Sequence, residues 1–154
     1  MSMMMRGCYG RPLINRQDAT TLGELGQFVV DVHRGAITGL VLGSGKSATV
    51  VDWTSVASFG PDAIVVDTAE GIHAPKGALE ENAAAGTLNI LQSTVLDDEG
   101  NSHGPISDVS FDEHSGWLTG VHLAETDLVV PTAALRGLGS HALMVVAALL
   151  PASG

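Results

Sequence analysis

The sequence predicts an all-β protein made of two small barrels in tandem, joined by a short helical linker. Three observations predict it. Short β-branched runs alternate with glycine-rich turns, no long helical period interrupts them, and the pattern of the first half returns in the second. At 154 residues with 45% hydrophobic side chains, the chain has apolar material for a core, although only 4% is aromatic. Short strands of this kind are best closed into barrels, which removes exposed edges.

The elements follow in chain order. Residues 1–12, Met-rich with Arg6 and Arg11, are predicted as a flexible N-terminal arm. The first barrel is assigned to residues 13–67. In it Gln27 to His33 pairs with Ala36 to Leu42 across Arg34-Gly35, as a hairpin. A second turn, Gly43-Ser44-Gly45-Lys46-Ser47, leads into a β-branched strand from Ala48 to Asp52. Trp53 to Ser58 is predicted as a short helical or 3₁₀ turn, stopped by Gly60-Pro61, and Ile64-Val65-Val66 closes the unit. Residues 68–86 are assigned as a linker whose Leu79 to Ala85 forms a short helix ended by Gly86. The second barrel, residues 87–148, is built from a hairpin of Ile106 to Phe111 with Trp117 to Leu123, then Leu128 to Val130 and Leu143 to Ala147. Residues 149–154 form a tail.

The internal repeat rests on specific residues. Val51 to Gly60, followed by Pro61 to Val66, meets Val130 to Gly139 and Ser140 to Val145 at a shift of 79. Gly35-Ala36-Ile37-Thr38-Gly39-Leu40 meets Gly116-Trp117-Leu118-Thr119-Gly120-Val121 at a shift of 81. Further back, Gly26 and Asp31 align with Gly104 and Asp108. That drift implies a longer turn in the second hairpin, Asp112-Glu113-His114-Ser115-Gly116, against His33-Arg34-Gly35 in the first.

This pattern resembles the PRC-barrel family, which takes its name from the H subunit of the purple bacterial photosynthetic reaction centre and also occurs in a ribosome-maturation factor. The resemblance is carried best by Ser102-His103-Gly104-Pro105-Ile106-Ser107-Asp108-Val109, continuing through Asp112-Glu113-His114-Ser115-Gly116 to Trp117-Leu118-Thr119-Gly120-Val121. With both copies it covers the chain from about Leu13 to Ala147. The family has no shared catalytic residues, so the resemblance implies a non-catalytic interaction or assembly module, at a membrane complex in the reaction-centre manner. A ribosome or RNA-processing assembly factor and a small-molecule or metal-binding regulator are the alternatives.

Composition and motifs bound the chemistry. Seven Lys plus Arg against seventeen Asp plus Glu give a formal charge of −10, which argues against direct binding of DNA through its phosphates. The charge is uneven: residues 77–154 hold ten acidic side chains and the single basic Arg136. A partner is therefore expected to be another protein, with a homodimer or a pseudo-dimer of the two copies also open. The single Cys8 excludes an internal disulfide and a cysteine zinc cage. No signal-peptide pattern opens the chain, and the longest apolar run, Ala142 to Leu150, is far below the ~20 residues of a membrane helix. The predicted location is cytoplasmic, at most peripheral at a membrane.

Gly45-Lys46-Ser47 imitates the end of a phosphate loop, but Leu40 stands where the first glycine belongs and a strand follows instead of a helix. Asp97-Asp98-Glu99-Gly100-Asn101 lacks the alternation of a calcium loop and is assigned as a polar turn. No Gly-x-Ser-x-Gly elbow is present. Six histidines, among them His103, His114 and His122 near Asp112 and Glu113, share no metal-binding spacing; no catalytic, cofactor or metal residue is assigned. The candidate interaction residues are Arg6, Arg11 and Arg16, as a basic lead-in, with Trp53 and Trp117. Both tryptophans are expected in the core, each contributing on the order of 2–3 kcal/mol, and either becomes an interface anchor if exposed.

Overall fold

The computed structural model describes residues 2–43 and 45–151. Ser44 of the second turn, Met1 of the arm and the last three residues of the tail lie outside the described residues. The strands are β1 (Ser2–Met4), β2 (Pro12–Asn15), β3 (Thr21–Asp31), β4 (Ala36–Leu42), β5 (Thr49–Asp52), β6 (Val56–Phe59), β7 (Ile64–Val66), β8 (Ile72–His73), β9 (Thr94–Asp97), β10 (Ser102–Asp112), β11 (Leu118–Leu123), β12 (Val129–Val130), β13 (Leu135–Leu138) and β14 (Ala142–Val145). Among the described residues one α-helix, α1 (Gly77–Ala84), joins the halves, and Gly86 just beyond it has φ +80°, the left-handed stop the sequence signals.

The fold is all-β, in two curled sheets. The first runs β6-β7-β2-β3-β4-β5-β8 and the second β13-β14-β9-β10-β11-β12, with β1 beside β10. In each sheet one parallel pair, β2 with β7 and β9 with β14, sits inside an otherwise antiparallel order.

Register ties the hairpins to their sequences. In β3 and β4 the partners include Leu25 with Leu42, Gln27 with Val41, Phe28 with Leu40, Val29 with Gly39 and Val30 with Ile37. In β10 and β11 they are Ile106 with Leu123, Asp108 with His122, Val109 with Val121, Ser110 with Gly120 and Phe111 with Leu118, each 81 positions on. The register slips fall at the same places, after Leu25 and Val29 and after Ile106 and Ser110.

The inner faces of both sheets share one core. Phe28, Val30, Leu40 and Phe59 of the first half lie in the same buried cluster as Val109, Phe111, Val121 and Leu143 of the second. Phe111 is fully buried, its ring centroid 5.5 Å from Phe28 and 5.4 Å from Phe59. The outer faces differ, and the sequence says why. On the first sheet Val29, Val41, Ala48 and Val50 point outward and are covered by α1 through Ala83, Leu79 and Ala84. On the second, Ser110 and His122 occupy the positions of Val29 and Val41 and bond to each other (Nε2 to Oγ 3.2 Å), while Thr119 donates to Ser110 Oγ at 2.8 Å. A polar face satisfies itself, whereas an apolar one needs a cover.

Several expectations are corrected. The first twelve residues are not a loose arm: β1 pairs with β10 in the other half, and Met5 and Cys8 are buried. Their apolar side chains supply core that the short units lack. Burial pushes the Cys8 thiol above its ordinary pKa, and its Sγ donates to Met4 O at 3.3 Å. The predicted linker begins inside the first sheet, because β8 pairs with β5. The turn after β5 is short, a 3₁₀ turn at Trp53–Ser55, and Val56–Phe59 is strand. The hairpin turns are equal in length: residues 31–35 and 112–116 connect Asp31 with Ala36 and Asp112 with Trp117.

Candidate functional site

The two hairpin turns meet along a seam between the halves. Asp31 and Asp112 open them, and each carboxylate Oδ1 accepts two backbone N–H groups. Those are from His33 and Arg34 at 3.1 and 3.3 Å, and from His114 and Ser115 at 2.8 and 2.9 Å. The N–H groups of Ser115 and then His114 hold the Asp112 carboxyl below its usual pKa. Gly35 (φ +65°) and Gly116 (φ +79°) close the turns in the left-handed region that favours glycine. From there the chains pair across the seam: Ile37 N donates to Gly116 O and Leu118 N donates to Gly35 O, both at 2.8 Å, with Ala36 opposite Trp117. The exchange is reciprocal, as at the centre of a two-fold interface.

Close packing secures the seam. A Cβ on Gly35 would lie 2.6 Å from the Thr132 methyl, and one on Gly116 would lie 2.9 Å from the Trp53 indole. Trp53 is half-buried, packed on the core, with its ring centroid 5.8 Å from Phe59 and 6.3 Å from Phe111. A cleft opens on each side of it. One, of about 310 Å³, is lined by Phe59, Pro61, Glu113 and His114; the other, of about 200 Å³, by Arg34, Ile37, Thr38 and Trp117.

Trp117 is not a core residue: it is 56% exposed. Strand alternation accounts for this, since the next residue, Leu118, is 4% exposed and points inward, turning Trp117 to the outside. An exposed indole flanking a cleft floored by a second indole is an arrangement suited to anchoring a partner's side chain.

The three arginines are occupied within the molecule. Arg6 donates to the carbonyls of Leu91 at 2.9 Å and Ile106 at 3.3 Å and to that of Ser107, while its backbone N–H reaches Asp108. Arg11 donates to Gly60 O at 2.8 Å and stands 5.6 Å over the Phe59 ring. Arg16 pairs with Asp67 at 2.8 Å on the surface. Arg6 and Arg11 therefore pin the N-terminal segment down, a role that the run of basic residues alone could not distinguish from docking.

The histidines separate. His103 Nε2 lies 2.8 Å from Oδ2 of the buried Asp97, His122 faces Ser110, and the exposed His114 is 3.8 Å from Glu113. The Asp97 carboxyl is held down to about 2 by His103 first and then by the backbone N–H of Asn101, with Glu99 N–H adding to it. A different group converges instead. Asp52 at the end of β5, His73 on β8 and Glu80 in α1 place donor atoms within 4.8 Å of one another. His73 Nδ1 is 2.7 Å from Ala74 O and Nε2 3.1 Å from Asp52 Oδ1. Hydrogen bonding to Ala74 O, then the Asp52 and Glu80 carboxylates, raise the imidazole pKa. Separated as they are in sequence, these three carry no local spacing signal; the pairing of β8 with β5 and the packing of α1 on the first sheet bring them together.

No family model matches the chain, and no curated protein matches it.

Proposed function

We propose that this chain is a non-catalytic protein-interaction and assembly module, built as two PRC-type barrels in tandem that pack as an internal pseudo-dimer. The recurrence of five of the six β3–β4 pairs in β10–β11, bulges included, supports the tandem reading, as do the matching strand orders. The reciprocal bonds between Ile37 and Gly116 and between Leu118 and Gly35 support the pseudo-dimer. The observation that carries the function is Trp117, exposed at the seam beside the cleft that it shares with Trp53. A partner is a protein offering an apolar side chain to that cleft and basic residues to the acidic second half. Its location at a membrane-associated complex is what the PRC resemblance suggests. The test is capture from native lysate with tagged wild type and Trp117→Ala, at low and high salt. One dominant protein retained by wild type, weakened by salt and lost with Trp117→Ala, is the expected result. Equal recovery with both proteins rejects the site, and its identity selects between a membrane complex and a ribosomal one.

A further inference from the structure

We propose that Asp52, His73 and Glu80 form a binding site for a divalent transition-metal ion of the zinc class, which clamps β8 and α1 to the first sheet. Three separate elements contribute one side chain each, and the donor atoms lie within 4.8 Å of one another. His73 and Glu80 are largely buried, with side chains 18% and 19% exposed, so the donors are held by packing. Ala74 O at 2.7 Å takes the Nδ1 proton of His73 on the side where Glu80 Oε1 stands 3.7 Å away, and Nε2 faces Asp52 at 3.1 Å, so an ion at Nε2 is reached by Asp52 directly and by Glu80 through its other oxygen. Glu80 Oε1 accepts the Lys76 backbone N–H at 2.9 Å, which fixes that carboxylate at the start of α1.

An ion here takes the Nε2 lone pair of the neutral His73 imidazole, any proton held between Nε2 and Asp52 leaving to solvent, and two carboxylates neutralise its charge. The nitrogen donor disfavours calcium and magnesium, which take oxygen ligands, and suits zinc, for which three protein ligands and one water make a complete tetrahedral set. Asp52 is half-exposed, so water has access to the fourth position. The consequence is mechanical. The ion joins the edge strand β8 to β5 and holds down the helix that covers Val29, Val41 and Val50. This inference stands apart from the Trp117 reading.

The test uses the full chain freed of metal by chelation, titrated calorimetrically with zinc chloride and followed by thermal unfolding. One equivalent of zinc binds and raises the unfolding temperature. Glu80→Gln keeps the oxygen that accepts the Lys76 N–H, so the helix remains, yet it weakens zinc binding by more than about tenfold, a loss that changes outside the ligand shell already reach. His73→Ala abolishes the binding, and His114→Ala, at an exposed histidine, leaves it unchanged. No zinc binding, or equal binding by Glu80→Gln and wild type, overturns the proposal and leaves three side chains joined by hydrogen bonds alone.

Discussion

Replacing Phe111 by alanine tests whether the two sheets make one core. The ring is fully buried and touches aromatic partners from the other half: Phe28 at 5.5 Å, Phe59 at 5.4 Å and Trp53 at 6.3 Å between centroids. Phe→Ala in a core costs about 3–5 kcal/mol. The upper part of that range applies here, because three rings lose a contact at once, two of them edge-on. Against a total stability of roughly 5–15 kcal/mol, this is a large share. Urea unfolding followed both by tryptophan fluorescence, which reports the seam, and by far-UV circular dichroism, which reports the strands, gives coincident transitions in wild type. Phe111→Ala moves both curves together to lower urea. Two separate transitions in wild type, or a loss below about 1 kcal/mol in the variant, refute the shared core.

Other perturbations probe the seam, the turns and the helix cover. Gly35→Ala forces a left-handed alanine, at roughly 1–2 kcal/mol, and drives its Cβ into the Thr132 methyl, so its midpoint in urea falls by more than that strain alone. Asp97→Asn keeps an Oδ1 for the N–H groups of Glu99 and Asn101, as Asn15 does for Gln17 in the first half, but loses the charge facing His103. The folded Asp97 pKa of about 2 lies below its unfolded value, so its contribution is present above about pH 4 and lost as pH falls toward 2; an acid titration followed by circular dichroism is shallower there in Asp97→Asn. Ala83→Glu places an unpaired charge where α1 meets Val29 and Val41 and costs on the order of 3 kcal/mol in thermal or urea unfolding; an unchanged midpoint contradicts the covering role of α1.

What the sequence discloses is local. The hairpin of Gln27 to His33 with Ala36 to Leu42 is legible because β-branched runs flank a glycine turn, and α1 is legible because Gly86 ends an alanine-rich stretch. The strands β2 and β9 are not: each is four residues long and finds its parallel partner far along the chain, at Ile64 and Leu143. The N-terminal segment misleads for the same reason, since its partner β10 is about a hundred residues away and arginines near a terminus resemble a solvated arm. An alignment of Asp31 with Asp108 implies unequal turns. The geometry pairs Asp31 with Asp112, because the two carboxylates hold the same backbone N–H positions. At the candidate site, both tryptophans are visible in the sequence, but the side to which Trp117 turns depends on the pairing of Ala36 across the seam.

The most direct test of the account places a photo-crosslinking amino acid at position 117 of the full chain in its native cells, with Asp127, exposed before β12, as the control position. The account predicts one discrete crosslinked protein from position 117, absent from the control and suppressed when Thr38→Arg crowds the cleft. No crosslink at position 117, or the same products from both positions, contradicts the claim that this seam is where the protein meets its partner.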